Sequence, residues 1–360
     1  MKKVLLLAPE LFASEGGIPR ILRLYLKALC ELAQPFGHVD LLVLNDAVFD
    51  SRDLRRYSDK RLESWEACNR HKSRFVRSTL RHSKRADQIV CGHIGQLPAA
   101  WLAQRLRPRL RYSLVAHGIE VWRPFTFLER LALKRAHRIL CVSEFTRREL
   151  LKNIPKLPPE RAIVLPNALD PYLTTLPSDS EAPTGTNPDI LTISRLSKAD
   201  NYKGIDHLIE SLPQIRQEIP SARLRIVGRG DDLPRLQSLA KKLHLGDAVR
   251  FLGYVGDDDL RREIRDCRIF ALPSHREGFG LVYLEAMAQG KPCVAARSGG
   301  APEVLSPETG VLAEYANLPA LSQACVHALR REWDSSAIRA RADTFSYSRF
   351  RDHLGSLLFA

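Results

Sequence analysis

Glu277 and Glu285 stand eight positions apart across a glycine-rich bend, in the run Ser274-His-Arg-Glu277-Gly-Phe-Gly280-Leu-Val-Tyr-Leu-Glu285-Ala-Met-Ala288. Paired carboxylates raise the idea of acid/base hydrolysis. Retaining glycosidases hold theirs about 5–5.5 Å apart and inverting ones about 6.5–9.5 Å. Eight residues of helix already span about 12 Å, and an extended lead-in adds to that. The two carboxylates therefore suit gripping separate parts of one long ligand.

The bend must be held by a strand before it and a helix after it. Arg268-Ile-Phe-Ala-Leu-Pro273 reads as a short buried strand, because a compact apolar run ends in Pro and Ser. After Gly280, Leu281, Leu284 and Met287 recur at helical spacing. Such a strand-loop-helix unit turns free amide N–H groups toward an anion. It invites a ligand with both phosphate and hydroxyl groups.

Other residues supply what such a ligand needs. Arg195, ending a predicted strand, and Lys203, in Asp200-Asn-Tyr-Lys203-Gly204, place two cations where a diphosphate fits. Standing alone they would read as surface cations. Within Ser14–Arg20, Gly16 and Gly17 let backbone approach a ligand, although a turn there calls for glycine anyway. His117, in Leu114-Val-Ala-His117-Gly118, ends a first-half strand, where a histidine either caps the strand or faces a ligand. No nucleophile with a partnered base stands nearby. Gly228-Arg-Gly230 lacks the third glycine of a dinucleotide fingerprint, which argues against a dehydrogenase.

Strand-like and helix-like segments alternate along the whole chain. The strands are Lys3–Ala8, Val39–Leu44, Gln88–Cys91, Tyr112–Ala116, Arg138–Val142 and Ala162–Leu165, then Ile190–Ser194, Arg223–Val227, Val249–Leu252, Arg268–Leu272, Cys293–Ala296 and Gly310–Leu312. Helices fall at Ile18–Leu32, Phe127–Ala136, 204–217, 231–243, 257–265, 280–289 and 317–331. The pattern predicts an α/β chain with two doubly wound parallel sheets, whose ligands bind beyond the strands' carboxyl ends. The Pro/Ser/Thr-rich stretch Thr174–Pro188 reads as a linker. The expected division is 1–172, a linker 173–188, 189–344, and a closing segment 345–360.

A length of 360 residues with 44% hydrophobic content suits two cores and excludes a disordered or fibrous chain. Met1-Lys-Lys-Val-Leu-Leu-Leu-Ala-Pro9 has too short an apolar run for a signal peptide and reads as a buried first strand. No stretch reaches the roughly 20 apolar residues of a membrane span, so a cytoplasmic location is expected. Seven scattered cysteines, with no C-x-x-C pair, predict buried thiols with neither disulfides nor a zinc site. The paired acids Asp231-Asp232 and Asp257-Asp258-Asp259 stand at helix starts, where they favour the dipole. No metal and no other cofactor is expected.

These residues resemble the retaining nucleotide-sugar glycosyltransferases of family 4, over nearly the whole chain. The most specific part is Glu277, Phe279-Gly-Leu281 and Glu285-Ala-Met287, continued by Gly290-Lys-Pro-Cys-Val294 and Gly299-Gly-Ala-Pro-Glu303. The resemblance implies the GT-B fold: two Rossmann-like domains facing across a cleft, with Phe345-Ser-Tyr-Ser-Arg-Phe350 onward crossing back to the first. It implies acceptor binding in the first domain and nucleotide-sugar binding in the second. Arg195 and Lys203 match the diphosphate clamp and Gly16-Gly17 the first-domain glycine loop. Glu277 would hold sugar hydroxyls, Phe279 to Leu281 would offer amides with Gly278 beside them in the donor site, and Glu285 would bind the ribose. Base contacts would come from near Gly228, Tyr254 and Val255, chiefly through backbone. His117 would lie beside the donor sugar. Two departures stand out: Pro166-Asn-Ala168 replaces the usual Asn-Gly, and Ser197–Asn201 lengthens the segment before Lys203.

The resemblance implies a hexosyltransferase using GDP-mannose or a UDP-sugar on a lipid-linked envelope glycan or exopolysaccharide. A nonenzymatic nucleotide-sugar or nucleic-acid binder, and an epimerase or phosphorylase on the same scaffold, are the other readings.

The net charge of +14 lies wholly in the first half: residues 1–170 carry 31 Lys and Arg against 17 Asp and Glu, and the rest carry 24 of each. Arg70, Arg74, Arg77, Arg81 and Lys84 follow at steps of four or three, one positive stripe if the segment is helical, with Trp65 and Phe75 as interfacial anchors. Such a stripe fits an anionic membrane surface or a lipid diphosphate, and equally a solvated face. Nucleic acid is not expected, since no reader module accompanies the charge.

Overall fold

Among the described residues thirteen strands, all pairing in parallel, carry the fold, and the apolar runs of the central ones reflect burial on both faces. The computed structural model describes residues 3–14, 16–33, 35, 37–48, 51–174 and 187–359. Most of the expected linker, residues 175–186, lies outside them. The chain divides into two compact units, one of Met1–Asp170 with Tyr347–Ala360 and the other of Pro171–Ser346.

The first unit contains β1 (Lys3–Ala8), β2 (His38–Val43), β3 (Leu62–Ala67), β4 (Gln88–Cys91), β5 (Arg111–Ala116), β6 (Arg138–Cys141) and β7 (Ala162–Val164). Their order in the sheet is β3-β2-β1-β4-β5-β6-β7, so the winding reverses between β1 and β4. Five of the six residues of β1 are buried. The helix Gly17–Leu32 follows it, and the final helix Tyr347–Phe359 packs on that helix through Tyr25 and Phe350, whose rings meet edge to face at 5.0 Å.

The second unit contains β8 (Asp189–Ile193), β9 (Arg223–Val227), β10 (Val249–Gly253), β11 (Ile269–Leu272), β12 (Cys293–Ala296) and β13 (Gly310–Ala313), ordered β10-β9-β8-β11-β12-β13. Here the winding reverses between β8 and β11. Such a reversal opens a crevice at the carboxyl ends of the strands.

Every strand expected from an apolar run forms, with no end displaced by more than one residue. β3 was not expected. Its sequence Leu-Glu-Ser-Trp-Glu-Ala alternates polar and apolar residues, as suits an edge strand. The segment lengthened by Ser197–Asn201 closes as a 3-10 turn, Lys198–Lys203, ended by Gly204 at φ 70°. Asn167 and Ala168 are absent from the residues of positive φ, so replacing Asn-Gly here forces no left-handed turn. All seven cysteines are buried free thiols.

Candidate active site

In the second unit the switch point gathers the expected polar residues. Arg195 follows β8, and its Nε donates to Asp200 Oδ2 at 2.6 Å, while the side chain stays 68% exposed. Asp200 is buried, and sequence reasoning gave it no role. The only signal was an acid five positions beyond the arginine. Lys203 closes the 3-10 turn, and its Nζ lies 3.3 Å from Glu277 Oε2, both side chains being mostly buried. The His275 amide donates to the Tyr202 carbonyl at 2.8 Å, which ties this turn to the loop after β11.

That loop is shaped by glycines at three places. Gly280, at φ 96°, caps the helix Leu281–Ala288, and a side chain there would overlap the Tyr283 ring. The Gly300 amide donates to the Glu277 carbonyl at 2.7 Å, and a Cβ on Gly299 or Gly300 would overlap the backbone of Glu277 or Gly278. The loop after β12 is thus the mould for the loop after β11. Phe279 is buried against Phe345, ring centres 5.4 Å apart, so it contributes amide and packing rather than a free ring. Tyr283 donates to the Leu272 carbonyl at 2.6 Å and anchors the helix under the site. Leu281 and Glu285 lie on this helix, both half-buried.

Gly228, Tyr254 and Val255 sit just past β9 and β10, where the Gly228 amide donates to the Gly253 carbonyl at 2.8 Å. The acid pairs are engaged locally. Asp231 accepts the Lys198 amide at 3.0 Å, Asp232 pairs with Arg235 at 2.7 Å, and Asp258 and Asp259 pair with Arg261 and Arg262.

In the first unit, His117 follows β5, and its Nε2 lies 2.8 Å from the Gly92 carbonyl oxygen. A carbonyl only accepts, so Nε2 carries the proton. Burial pulls the ring down to a pKa of about 4, despite the Gly92 bond, which leaves it neutral near pH 7 with Nδ1 as an acceptor. Glu120 accepts the His117 amide at 2.5 Å and fixes the loop; burial raises its carboxyl above the ordinary range.

Gly16 has φ 164°, an extended value open to any residue, and a Cβ there would meet only Pro19 at an ordinary 3.7 Å. The turn therefore does not call for glycine at Gly16, which corrects that expectation; Gly17 opens the helix beside it. The loop before it is pinned by buried Asp46, which accepts the Leu11 amide at 3.2 Å and the Phe12 amide at 2.9 Å. Asp46 gave no signal except its place just past an apolar strand.

The basic stripe is shorter than the charge spacing suggests. The helix is Lys72–Ser83; Arg70 stands before it at φ 65° and Lys84 caps its end, leaving Arg74, Arg77 and Arg81 on it. Arg74 and Arg81 both reach Glu66 of β3, at 2.8 and 2.6 Å. Phe75 is buried in the core and so is no interfacial anchor, whereas Trp65 is 47% exposed. Among the described residues no helix is long and apolar enough to cross a membrane.

Comparison with known proteins agrees with this geometry. Residues 187–331 match the family described as Glycosyl transferases group 1, and residues 30–172 match Glycosyltransferase Family 4. A GDP-mannose-dependent alpha-(1-6)-phosphatidylinositol monomannoside mannosyltransferase of Mycolicibacterium smegmatis is 34% identical over 62% of this chain and 62% of its own length. A GDP-mannose-dependent monoacylated relative from Corynebacterium glutamicum is 35% identical over 49% of this chain and 48% of its own. The chain thus spans less than two thirds of either relative. Among solved structures, Anabaena HepE in complex with UDP and glucose superposes with a TM-score of 0.79 at 21% identity, covering 99% of both chains. Two parallel Rossmann-like sheets, the glycine-moulded Glu277 loop and matches to both halves place this chain in glycosyltransferase family 4, with the GT-B fold.

Proposed function

We propose that the protein is a retaining mannosyltransferase that takes mannose from GDP-mannose and passes it to a lipid-linked glycan acceptor. The observation that carries this reading is the Lys203–Glu277 pair at the switch point of the second sheet, with Arg195 held by Asp200 of the same 3-10 turn. Two cations there suit a diphosphate, and Glu277 suits the hydroxyls of the attached sugar. Amides of 278–281 face the same ligand, Glu285 takes the ribose, and Gly228, Tyr254 and Val255 border the base. GDP-mannose is favoured over UDP-sugars because the relatives above 30% identity include GDP-mannose-dependent enzymes that act on lipid-anchored acceptors.

The reaction is assigned as a front-side displacement. The bond from the anomeric carbon to the diphosphate oxygen breaks while the acceptor oxygen bonds to the same face. The acceptor proton passes to the leaving diphosphate, giving GDP and the mannoside. Arg195 and Lys203 stabilise the charge growing on that leaving group, the role a divalent ion would otherwise take, so turnover is expected to persist in EDTA. His117, neutral, accepts a hydroxyl hydrogen bond through Nδ1; Gly16 and Gly17 give backbone approach. Incubation with GDP-mannose, UDP-glucose and a lipid extract tests the reading. Mannose transfer lost in Glu277→Ala supports it, whereas binding of the donor with neither transfer nor hydrolysis indicates a nonenzymatic binder.

The exposed Trp65 and the arginines of Lys72–Ser83 favour peripheral docking on an anionic membrane. Flotation with phosphatidylglycerol vesicles tests this: binding that fades with salt and with neutralised Arg74, Arg77 and Arg81 supports it, and binding indifferent to both refutes it.

A further inference from the structure

The carboxyl ends of β9 and β10 hold a cation that no acid among the described residues engages. Gly228 has φ 143° and Gly253 φ 68°, and the bond between them joins the starts of the two loops. A Cβ on Gly228 would overlap the Ser194 carbonyl, and one on Gly230 the Leu196 carbonyl. The carbonyl of Arg229, between these glycines, accepts the Leu196 amide at 3.0 Å. The backbone of Arg229 is therefore clamped to the segment that contains Arg195.

From this mount the guanidinium carbon of Arg229 lies 5.0 Å from the centre of the Tyr254 ring, which is itself 56% exposed. Arg225 and Arg235, by contrast, each pair with a carboxylate. Among the described residues Arg229 has no such partner. A guanidinium steadied by a ring and unclaimed by an acid presents its fork of donors outward.

We propose that Arg229 reads the base of the donor by donating to O6 and N7 of guanine, with Tyr254 as the residue that positions it. The inference rests on the donor-site reading above and supplies a side chain where chiefly backbone was expected to meet the base. Neighbouring strands lie about 4.8 Å apart, so the ends of β9 and β10 stand about 5 and 10 Å from that of β8. A nucleoside whose diphosphate sits at Arg195 reaches that far. Guanine offers two adjacent acceptors to an arginine fork; adenine sets an amino donor in place of O6, and uracil has no N7 and separates its two carbonyls by the N3–H donor, so neither presents that pair.

Equilibrium binding of GDP, IDP, ADP and UDP to the full chain tests the proposal. IDP keeps O6 and N7 and lacks only the 2-amino group. The protein is expected to bind GDP and IDP alike, and ADP and UDP about tenfold more weakly. In Arg229→Met, GDP and IDP weaken about tenfold, the IDP-to-ADP preference vanishes and UDP is unchanged. Tyr254→Leu gives an intermediate preference, which a loss of general stability would not produce. Arg195→Ala weakens all four. A wild-type IDP-to-ADP preference in Arg229→Met, with Arg195→Ala weakened, overturns the role of Arg229 and leaves the donor site standing. Failure of all four to bind the unaltered protein, or indifference of all four to Arg195→Ala, overturns the donor site and this inference with it.

Discussion

Lys203 Nζ sits 3.3 Å from Glu277 Oε2, joining residues 74 positions apart and linking the turn after β8 to the loop after β11. Each partner holds the other in the place that the proposed function gives to a sugar diphosphate. Lys203→Met is expected to lower kcat by about 10²–10³, since it removes a charge that acts on the leaving group. The stability change should stay within about 1–2 kcal/mol, because both groups keep some contact with water. Steady-state kinetics beside thermal unfolding check this. A normal kcat with a lowered Tm would make the pair structural only.

The Glu277 loop takes its shape from the loop that faces it. Gly300→Ala would drive a methyl group into the Gly278 carbonyl, so backbone must move. The expected cost is about 2 kcal/mol or more, which lowers Tm by roughly 4–8 °C in a unit of this size. Donor affinity should fall with it, because residues 277–280 shift. Calorimetric unfolding and GDP titration of the same variant give both numbers, and unchanged donor affinity would mean the loop tolerates the displacement.

Much of this was legible in the sequence because both sheets are parallel and buried. β1, β4 and β12 are almost wholly apolar runs, and they and β9 were placed to the residue. β3 escaped notice because an edge strand alternates, and Glu63 and Glu66 break the run. Glycine spacing revealed the bend at Gly280 and left hidden that Gly299 and Gly300 mould it, since that depends on two strands lying side by side. The supports of the site were equally silent. Asp46 reaches back 35 positions to Leu11, and the meeting of Arg229 with Tyr254 depends on β9 pairing with β10.

His117 gives a pH signature with a definite sign. Its folded pKa, about 4, lies below the ordinary value of 6.5, so the unfolded chain binds the proton more readily. The stability contributed is whole above pH 6.5 and is lost as pH falls from there through about 4, by up to about 3 kcal/mol. His117→Asn should flatten that part of the stability curve. Chemical denaturation at pH 7, 5.5 and 4.5 checks it: equal slopes in variant and wild type would mean the ring titrates normally.

Glu66 is the acid that restrains the basic helix. Burial pushes its carboxyl up, and hydrogen bonds from Arg74 and Ser78 with the charge of Arg81 bring it below the ordinary value overall. Glu66→Gln removes one negative charge and releases Arg74 and Arg81 from their ion pairs. Each cation near an anionic surface adds about 1 kcal/mol. If this face docks on a membrane, the variant should bind phosphatidylglycerol vesicles about fivefold to tenfold more tightly, with a steeper salt dependence. Arg77→Gln, which touches no carboxylate among the described residues, should weaken binding without altering the fold. Sedimentation with vesicles at two salt concentrations decides between docking and a solvated face: a solvated face would show no gain for Glu66→Gln and no loss for Arg77→Gln.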